Sequence, residues 1–377
     1  MYACTCRQAF EFVTEGVSTL GSSHPYLTVD PPDRAPRARV RHGLPPDGTT
    51  RIGVVGHLPE VLREFGVEVR DALDAAGLPR DTFSDPDNTI DYALFQQLLA
   101  TCEQLTNCDH VALLAGQRTR LADFGLAGRA ARCGATAGEG LQRFVNHFNL
   151  HISATTISLV TYGGFARLVY VITVRSITDA QHLQQGALAV AFNVLQDLFG
   201  RQWLPSVVTF ATRAPPNLRP FHQFFRAPLR FDSDESAIFF ERHWLDRPLP
   251  PVDPAFRAQV DTEVRERQVA MLEDFPATVR RAVRKQLIIG SIGMDGVAAM
   301  FGMHRRTLDR HLQKHGLRYG ELMESVEEEI ARQLLRETDM QVQQVAESLR
   351  YSSAANFATA FRRWTGMTPS EYRRQAR

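Results

Sequence analysis

An internal repeat near the C-terminus constrains the fold of this chain more than any other feature of the sequence. The stretch VAAMFGMHRRTLDRHLQKHGL begins at Val297, and the stretch VAESLRYSSAANFATAFRRWTGM begins 48 residues later at Val345. Each copy has two short helical patterns separated by a tight turn and is followed by a glycine, Gly316 or Gly366. This arrangement predicts two helix-turn-helix units, in each of which the second helix lies in the major groove of DNA.

The second helix of the first copy, expected at about residues 304–315, has an apolar face and a basic face. Leu308 and Leu312 form the apolar face, and at about 100° per residue Arg306, Arg310 and Gln313 point away from it. An arginine there can make a bidentate contact to guanine. The alternative is an ordinary solvated basic face, but a second copy at a fixed spacing favours DNA binding. The expected DNA contacts of this helix are Arg305, Arg306, Asp309, Arg310, Gln313 and Lys314.

The charge of the chain is divided unevenly between its two parts. The 377 residues carry a formal net charge of only +1, which taken whole argues against a nucleic-acid partner. Residues 279–377 hold 17 Lys and Arg against 11 Asp and Glu, a net charge of +6, whereas residues 1–278 hold 26 against 31, a net charge of −5. The near-neutral total therefore conceals a basic C-terminal module, and binding to DNA phosphates through counterion release requires such a module.

The stretch NFATAFRRWTGMTPSEYRRQ is similar to the C-terminal signature of AraC/XylS-type bacterial transcription regulators, and VAAMFGMHRRTLDRHLQKHGL resembles their first helix-turn-helix. Roughly residues 51–255, including LPEVLREFGVEVRDALDAAGLP and FRAPLRFDSDESAIFF, resemble the long non-cupin, arabinose-binding-like effector domain of one branch of that family. The resemblance implies a regulator that binds double-stranded promoter DNA, contacts RNA polymerase and responds to a small-molecule effector, and it leaves open whether the regulator is an activator or a repressor. It also implies a linker helix at about residues 319–338, with the two recognition helices about one DNA turn (~34 Å) apart. The five cysteines do not make a disulfide framework, which indicates a cytoplasmic protein.

The second recognition helix, expected at about residues 353–364, departs from the family pattern. Its groove-facing positions include Ala355 and Thr359, and alanine can touch a thymine methyl group but cannot donate or accept a hydrogen bond. We therefore expect the first helix to read most bases and the second to dock mainly on phosphates. Its expected DNA contacts are Ser352, Ser353, Ala355, Thr359, Arg362 and Arg363. Arg350 stands where the family usually has a turn glycine, which indicates an altered turn or an added phosphate contact.

Residues 51–254 mix helical and strand patterns and predict an α+β domain. Apolar residues at three- and four-residue spacing predict helix from residue 58 to a stop signal at 77–79, and residues 207–212 are expected to form a strand. The period-two stretches 155–162 and 166–173, split by Gly163 and Gly164, predict a β-hairpin. The expected organisation is a largely disordered extension at 1–50, an effector-binding domain at 51–254, a helical linker at 255–278 and an all-α domain with two helix-turn-helix motifs at 279–377. The proline-rich stretch 248–254 and the helix after it are the candidate coupling element.

The candidate effector residues come from the hairpin and the helix before it. An aromatic stripe in such a place is as readily explained by core packing. The candidates are Phe144, His147, Phe148, Arg167 and Tyr170.

Other functions find little support in the sequence. Signatures of nucleophilic, nucleotide-dependent and metal-dependent enzymes are absent, so we expect no enzyme and no cofactor. His147 and His151 have a spacing that can chelate a metal, but no carboxylate or cysteine accompanies them, so no metal is expected. No apolar run of about 18 residues predicts a membrane span, and the N-terminus does not resemble a secretory signal.

Two alternative interpretations stay open at this point. One is a cofactor-bearing sensor or enzyme with an accessory DNA-binding domain, and the other is a ligand-independent regulator whose middle domain only dimerises. A homodimer is compatible with the sequence, although no coiled-coil heptad specifies one.

Overall fold

A computed structural model of the protein describes residues 48–148, 152–174, 177, 179–270, 275–289, 293–301, 303–337 and 340–376. Most of the predicted N-terminal extension, together with His151 and the turn glycine Gly302, lies outside these residues. The described chain belongs to two compact units, and the boundary between them falls inside one helix, after Val326. The first copy of the repeat lies in the larger unit and the second in the smaller one, so the predicted domain boundary near residue 279 stays a prediction.

The larger unit is built mainly from helices of 7 to 19 residues. In chain order they are α1 Leu58–Glu64, α2 Val69–Ala75, α3 Tyr92–Thr106, α4 Val111–Arg118, α5 Gly125–Arg132, α6 Ala137–His147, α7 Gln181–Phe199, α8 Arg219–Phe225, α9 Pro254–Ala270, α10 Phe275–Ile289, α11 Met294–Met300, α12 Arg305–Lys314 and the first part of α13 Tyr319–Glu337. Helix α3 begins where the Asp91 carboxylate accepts hydrogen bonds from two backbone amides. Helix α7 ends at Gly200, whose φ of +93° favours glycine.

Seven strands form a two-stranded and a five-stranded sheet within the described residues. Their bounds are β1 Thr49–Arg51, β2 Thr89–Asp91, β3 Thr155–Tyr162, β4 Phe165–Ile172, β5 Val207–Thr209, β6 Leu229–Arg230 and β7 Ser236–Glu241. The larger sheet has the order β3-β4-β7-β5-β6, and its pairs are antiparallel except β5 with β6. The predicted hairpin is confirmed: β3 and β4 pair in register from Thr155 with Ile172 to Tyr162 with Phe165.

Two glycines allow helices α4 and α7 to pack closely in the core of this unit. A Cβ atom added to Gly116 would lie 2.5 Å from the carbonyl oxygen of Gly186 and 2.9 Å from the Cβ atom of Ala189. No side chain fits at such a distance, so the two backbones approach each other directly. Asn193 of α7 then donates hydrogen bonds to the carbonyl oxygens that end α4, including that of Gln117 at 2.8 Å.

The smaller unit contains the second copy of the repeat. It comprises the end of α13 and helices α14 Val342–Ser348, α15 Ala354–Thr365 and α16 Pro369–Ala376. Phe357 and Phe361 of α15 are fully buried. Arg373 of α16 donates hydrogen bonds to the carbonyl oxygens of Leu335 and Met340, at 3.1 and 2.6 Å, which attaches α16 to the end of α13.

The predicted α+β region followed by a helical region is confirmed. Two local predictions were less accurate. The apolar pattern over residues 58–78 suggested continuous helix, but the chain breaks into α1 and α2 at Gly66, which has a φ of +71°. The strand expected at 207–212 is only three residues long, because Phe210 leaves the sheet and enters a cluster of aromatic rings with Phe221 and Phe225.

Candidate nucleic-acid interface and ligand cavity

Helix α12 separates buried and exposed residues as its sequence pattern predicts. Leu308 and Leu312 are fully buried, whereas the residues expected to face DNA remain accessible. The exposed members are Arg305, Arg306, Arg310, Gln313 and Lys314, and Asp309 is half-buried. The Asp309 carboxylate accepts a hydrogen bond from Nε2 of Gln313 at 2.9 Å. Asp309 therefore orients the Gln313 amide on the exposed face.

Packing inside the larger unit holds α12 in place. The ring of Phe275 in α10 is fully buried and lies between Phe301 at 5.7 Å and the imidazole rings of His311 and His315 at 5.5 and 5.8 Å, centroid to centroid. The two histidines of α12 therefore pack on an aromatic core residue. This contact accounts for their four-residue spacing without a ligand role.

Helix α15 presents a less basic exposed face. The residues expected to contact DNA, Ser352, Ser353, Ala355, Thr359, Arg362 and Arg363, are all exposed. The Thr359 hydroxyl donates to the carbonyl oxygen of Ala355 at 3.0 Å, and Ser353 caps the helix by accepting from the amide of Asn356 at 3.2 Å. The two hydroxyl groups therefore already have partners in the helix.

Sequence reasoning missed one exposed polar residue of α15. Asn356 donates through Nδ2 to the hydroxyl oxygen of Ser352 at 2.7 Å, which fixes its amide at the start of the helix. One N–H and the Oδ1 atom remain for other partners, and this pair can recognise adenine in the major groove. The sequence pattern favoured Ala355 and Thr359 as the groove-facing positions and therefore passed over Asn356, which follows Ala355 directly.

Arg350 adopts a left-handed backbone conformation, with a φ of +60°, in the turn between α14 and α15. Glycine adopts this conformation far more readily than other residues. The helix-turn-helix turn is therefore kept without its usual glycine.

A largely apolar cavity lies inside the core of the larger unit. Its empty volume is about 770 Å³, a figure that includes space open to solvent. Its walls come from residues 50–55, α3, α4, α6, the β3–β4 hairpin and α7. The aromatic residues in the wall are Tyr92, Phe95, Phe124, Phe144, Phe148 and Tyr170.

The structure places three of the five predicted effector residues, Phe144, Phe148 and Tyr170, in the cavity wall. Arg167 is not one of the lining residues. It donates a hydrogen bond to Glu235 at 2.5 Å and lies over the ring of Phe239. Residues three apart in a strand point to opposite faces of a sheet, so Arg167 cannot share a cavity with Tyr170.

His147 also lies outside the cavity wall, on α6. Its burial and the nearby charge of Arg143 lower the pKa of His147 to about 4. The imidazole is therefore neutral near pH 7.

Three lining residues of the cavity, Tyr92, Tyr170 and His182, take part in polar pairs. The hydroxyl oxygens of Tyr92 and Tyr170 are 2.5 Å apart, and burial raises the pKa of both phenols, so neither ionises near neutral pH. Nε2 of His182 lies 2.8 Å from a carboxylate oxygen of Glu103. Sequence reasoning missed Tyr92 and His182, because no local pattern joins residues of α3 and α7 to the hairpin.

Helix α6 connects the cavity to the helix that follows the proline-rich stretch. Its residues Phe144 and Phe148 line the cavity, whereas Arg143 donates to Asp261 of α9 at 3.2 Å. A second ion pair joins Arg129 of α5 to Glu263 of α9. Helix α11, the first helix of the first helix-turn-helix, also lies against α6. One helix therefore contacts the cavity, α9 and α11.

Other chemistry finds no obvious place among the described residues. They contain no group of three or more His, Cys, Asp or Glu side chains that could hold a metal ion. Cys102, Cys108 and Cys133 are buried, and burial raises the pKa of the Cys102 thiol to about 12. Over the same residues, every helix is too short or too polar to cross a bilayer.

Both parts of the chain match known protein families. Residues 66–249 match the N-terminal arabinose-binding domain of AraC transcription regulators, and residues 297–375 match a helix-turn-helix domain family. The ornithine utilization regulator of Pseudomonas aeruginosa is 25% identical over 320 residues, which cover 84% of this chain and 94% of that protein. The transcriptional regulator VirS of Mycobacterium tuberculosis is 25% identical over 320 residues, which cover 83% of this chain and 93% of that protein.

Among solved structures, the transcriptional regulator CdpR from Pseudomonas aeruginosa has 21% sequence identity and a TM-score of 0.39, and the match covers 83% of this chain and 97% of that chain. The two family matches account for the cavity-bearing region and for the repeat, and they occur in the same order in the chain. The chain therefore belongs to the AraC-type helix-turn-helix transcriptional regulators that carry an arabinose-binding-like N-terminal domain.

Proposed function

We propose that this regulator reads promoter DNA mainly through α12 and that a small molecule bound in the cavity controls how it does so. The observation that carries the proposal is the exposed arginine face of α12 opposite its fully buried leucines. Arg306 and Arg310 lie on that face, and each can make a bidentate contact to the O6 and N7 atoms of guanine.

The second recognition helix, α15, contributes mainly to docking on the DNA backbone. Arg362 and Arg363 are exposed at its C-terminal end, and Ser352 and Ser353 are exposed at its start. Arginine side chains and helix N-termini are common phosphate contacts, which position a protein on the duplex without reading its sequence. Asn356 adds one base-reading group to this helix, with adenine as its expected partner.

Helix α6 carries the effector signal towards the DNA-binding motifs. A ligand in the cavity contacts Phe144 and Phe148, and the same helix holds α9 through Arg143 and Asp261 and lies against α11. A ligand shifts an equilibrium only by its difference in affinity for the two states. The effector therefore binds more tightly to one arrangement of α6 against α9 and α11 than to the other.

The family relationship supports further roles for this chain at a promoter. We include contact with RNA polymerase and transcriptional activation in the proposal as roles that the family resemblance implies, and assembly as a homodimer because two paired half-sites would raise the affinity for DNA. Mass photometry with and without promoter DNA measures the oligomeric state, and in vitro transcription distinguishes activation from repression.

Selection of DNA sequences from a random library tests the assignment of α12. We expect Arg306→Ala and Arg310→Ala each to weaken binding by about 1–3 kcal/mol and to relax the preference at one base position. Arg318→Ala is the matched control, because Arg318 is exposed just after α12 and its loss removes the same charge. A selected sequence profile that Arg310→Ala leaves unchanged contradicts the assignment.

The phosphate-docking role of α15 has a different signature. Arg363→Ala should weaken binding evenly across DNA sequences and reduce the salt dependence of the affinity by about one unit in the log–log slope. A base-specific loss in this variant would contradict the docking role.

The effector role is tested by measuring promoter affinity against a panel of metabolites. Ornithine belongs in this panel because a relative is named as an ornithine utilization regulator. No change in promoter affinity with any molecule that binds the cavity would refute the effector role.

A further inference from the structure

The polar groups in the cavity wall are few, and most of them already have partners. The Tyr92 and Tyr170 hydroxyls bond to each other at 2.5 Å, and the Thr50 hydroxyl donates to the carbonyl oxygen of Arg51 at 3.2 Å. No Asp, Glu, Lys or Arg is found among the lining residues that the structure describes. His182 is therefore the polar lining residue with a hydrogen-bonding atom left unpaired.

One nitrogen of His182 is buried without a hydrogen bond. The residue is 8% exposed and forms part of the cavity wall, and its Nε2 atom lies 2.8 Å from Oε2 of Glu103. Its Nδ1 atom is buried and has no hydrogen-bond partner in the described part of the chain. An unsatisfied buried polar atom is unfavourable, so in a native protein it calls for an explanation such as a ligand.

Glu103 determines which kind of partner Nδ1 requires. An ionised carboxylate only accepts hydrogen bonds, so the proton of a neutral imidazole must sit on Nε2, towards Glu103. In the neutral form of the imidazole, Nδ1 then carries a lone pair and accepts a hydrogen bond. The missing partner is a hydrogen-bond donor.

The absence of charged side chains from the described cavity wall indicates that the ligand is neutral. An ionised group taken into an apolar cavity needs a counter-charge, because desolvation of an unpaired charge is very unfavourable. The described wall residues include four phenylalanines and no Lys or Arg. A carboxylate placed beside the Glu103–His182 pair would also add a second negative charge to the first.

We propose that the cavity binds a neutral, largely apolar alcohol or phenol whose hydroxyl group donates to Nδ1 of His182. The apolar body of the molecule packs against the aromatic wall that includes Phe95, Phe144 and Phe148. This inference rests on the proposed function only in taking the cavity as the effector site, because ligand binding itself can be measured without DNA.

Isothermal titration calorimetry on the full chain tests the proposal with a series of 4-alkylphenols from methyl to pentyl. For the member that binds best, the matching 4-alkylanisole carries a methyl group in place of the donor hydrogen, and the matching 4-alkylbenzoate is an anion. We expect the phenol to bind about fivefold more tightly than the anisole, which is the contribution of one ordinary hydrogen bond. We expect the benzoate to bind more weakly than either at pH 8.

The variant His182→Phe keeps an aromatic ring in the wall and removes Nδ1. This variant should bind phenol and anisole equally. Its fold should be kept, because Glu103 is partly exposed and tolerates loss of its partner. The comparison of phenol with anisole in the unmodified protein holds even if this variant does not fold. Failure of every phenol to bind, equal binding of phenol and anisole, or tighter binding of the benzoate overturns the proposal. Binding of the phenol without any effect on promoter affinity would instead refute the effector role and leave this inference standing.

Discussion

Replacing Arg350 by glycine should stabilise the second helix-turn-helix. Arg350 turns the chain between α14 and α15 with a φ of +60°. The left-handed conformation costs a non-glycine residue roughly 1–2 kcal/mol, and glycine avoids this penalty. Glycine loses about 0.5–1 kcal/mol more conformational entropy on folding than a residue such as alanine. The difference predicts a net stabilisation of roughly 0.5–1 kcal/mol for Arg350→Gly.

Arg350→Ala is the matched control, because it removes the same guanidinium group but keeps a Cβ atom in the strained conformation. Native-state hydrogen exchange of the α14 and α15 amides in the full chain measures the local free energy of opening. The amides of Arg350→Gly should exchange about two- to fivefold more slowly than those of Arg350→Ala. Equal exchange in the two variants, or faster exchange in the glycine variant, would refute the reasoning.

The same two variants also resolve the DNA role of this position. If the Arg350 side chain contacts a phosphate, both variants lose the same affinity and the slope of log affinity against log salt falls by about one unit in each. If only the backbone conformation matters, the glycine variant keeps the salt dependence of the unmodified protein.

Two further predictions concern the larger unit. Gly116→Ala should lower the free energy of unfolding in urea by about 1–3 kcal/mol, because the new Cβ atom would lie 2.5 Å from the carbonyl oxygen of Gly186. The control Gly320→Ala, in a helix with open space around that residue, should be neutral or stabilising in the same titration. Equal effects of the two substitutions would contradict the close-packing argument. His147 has a pKa of about 4 in the folded protein against 6.5 as its ordinary value, so the unfolded chain binds the extra proton and stability falls as the pH drops from 6.5 towards 4. In His147→Gln this part of the pH dependence of the free energy of unfolding should disappear, and an unchanged slope between pH 5 and 7 would show that other groups cause it.

The repeat and the hairpin could be predicted from sequence because local patterns encode them. The alternation of β3 and β4 around Gly163 and Gly164 is complete within 20 residues, and the apolar face of α12 is set by Leu308 and Leu312 alone. The break between α1 and α2 was also visible at Gly66, but apolar residues continue at helical spacing on both sides and obscured it.

The cavity could be anticipated only in part. Phe144, Phe148 and Tyr170 lie in one stretch of chain next to the hairpin, but Tyr92 reaches Tyr170 across 78 positions of sequence and His182 reaches Glu103 across 79. An aromatic residue that lines a cavity has the same local pattern as one that fills a core. The exclusion of Arg167 was available from the sequence, because a strand places residues 167 and 170 on opposite faces.

The cavity also bears on how long a molecule of this regulator survives in a cell. Its lining residues, among them Tyr92, Phe95 and Phe144, belong to the main hydrophobic core of the larger unit. A ligand present at 100 times its dissociation constant adds about 2.7 kcal/mol to the stability of the folded state. Proteases remove chains from the unfolded fraction, and changes of 1–2 kcal/mol alter protein abundance several-fold. We therefore expect the half-life of the regulator to lengthen when its effector is present, so that the number of regulator molecules follows the signal along with their conformation.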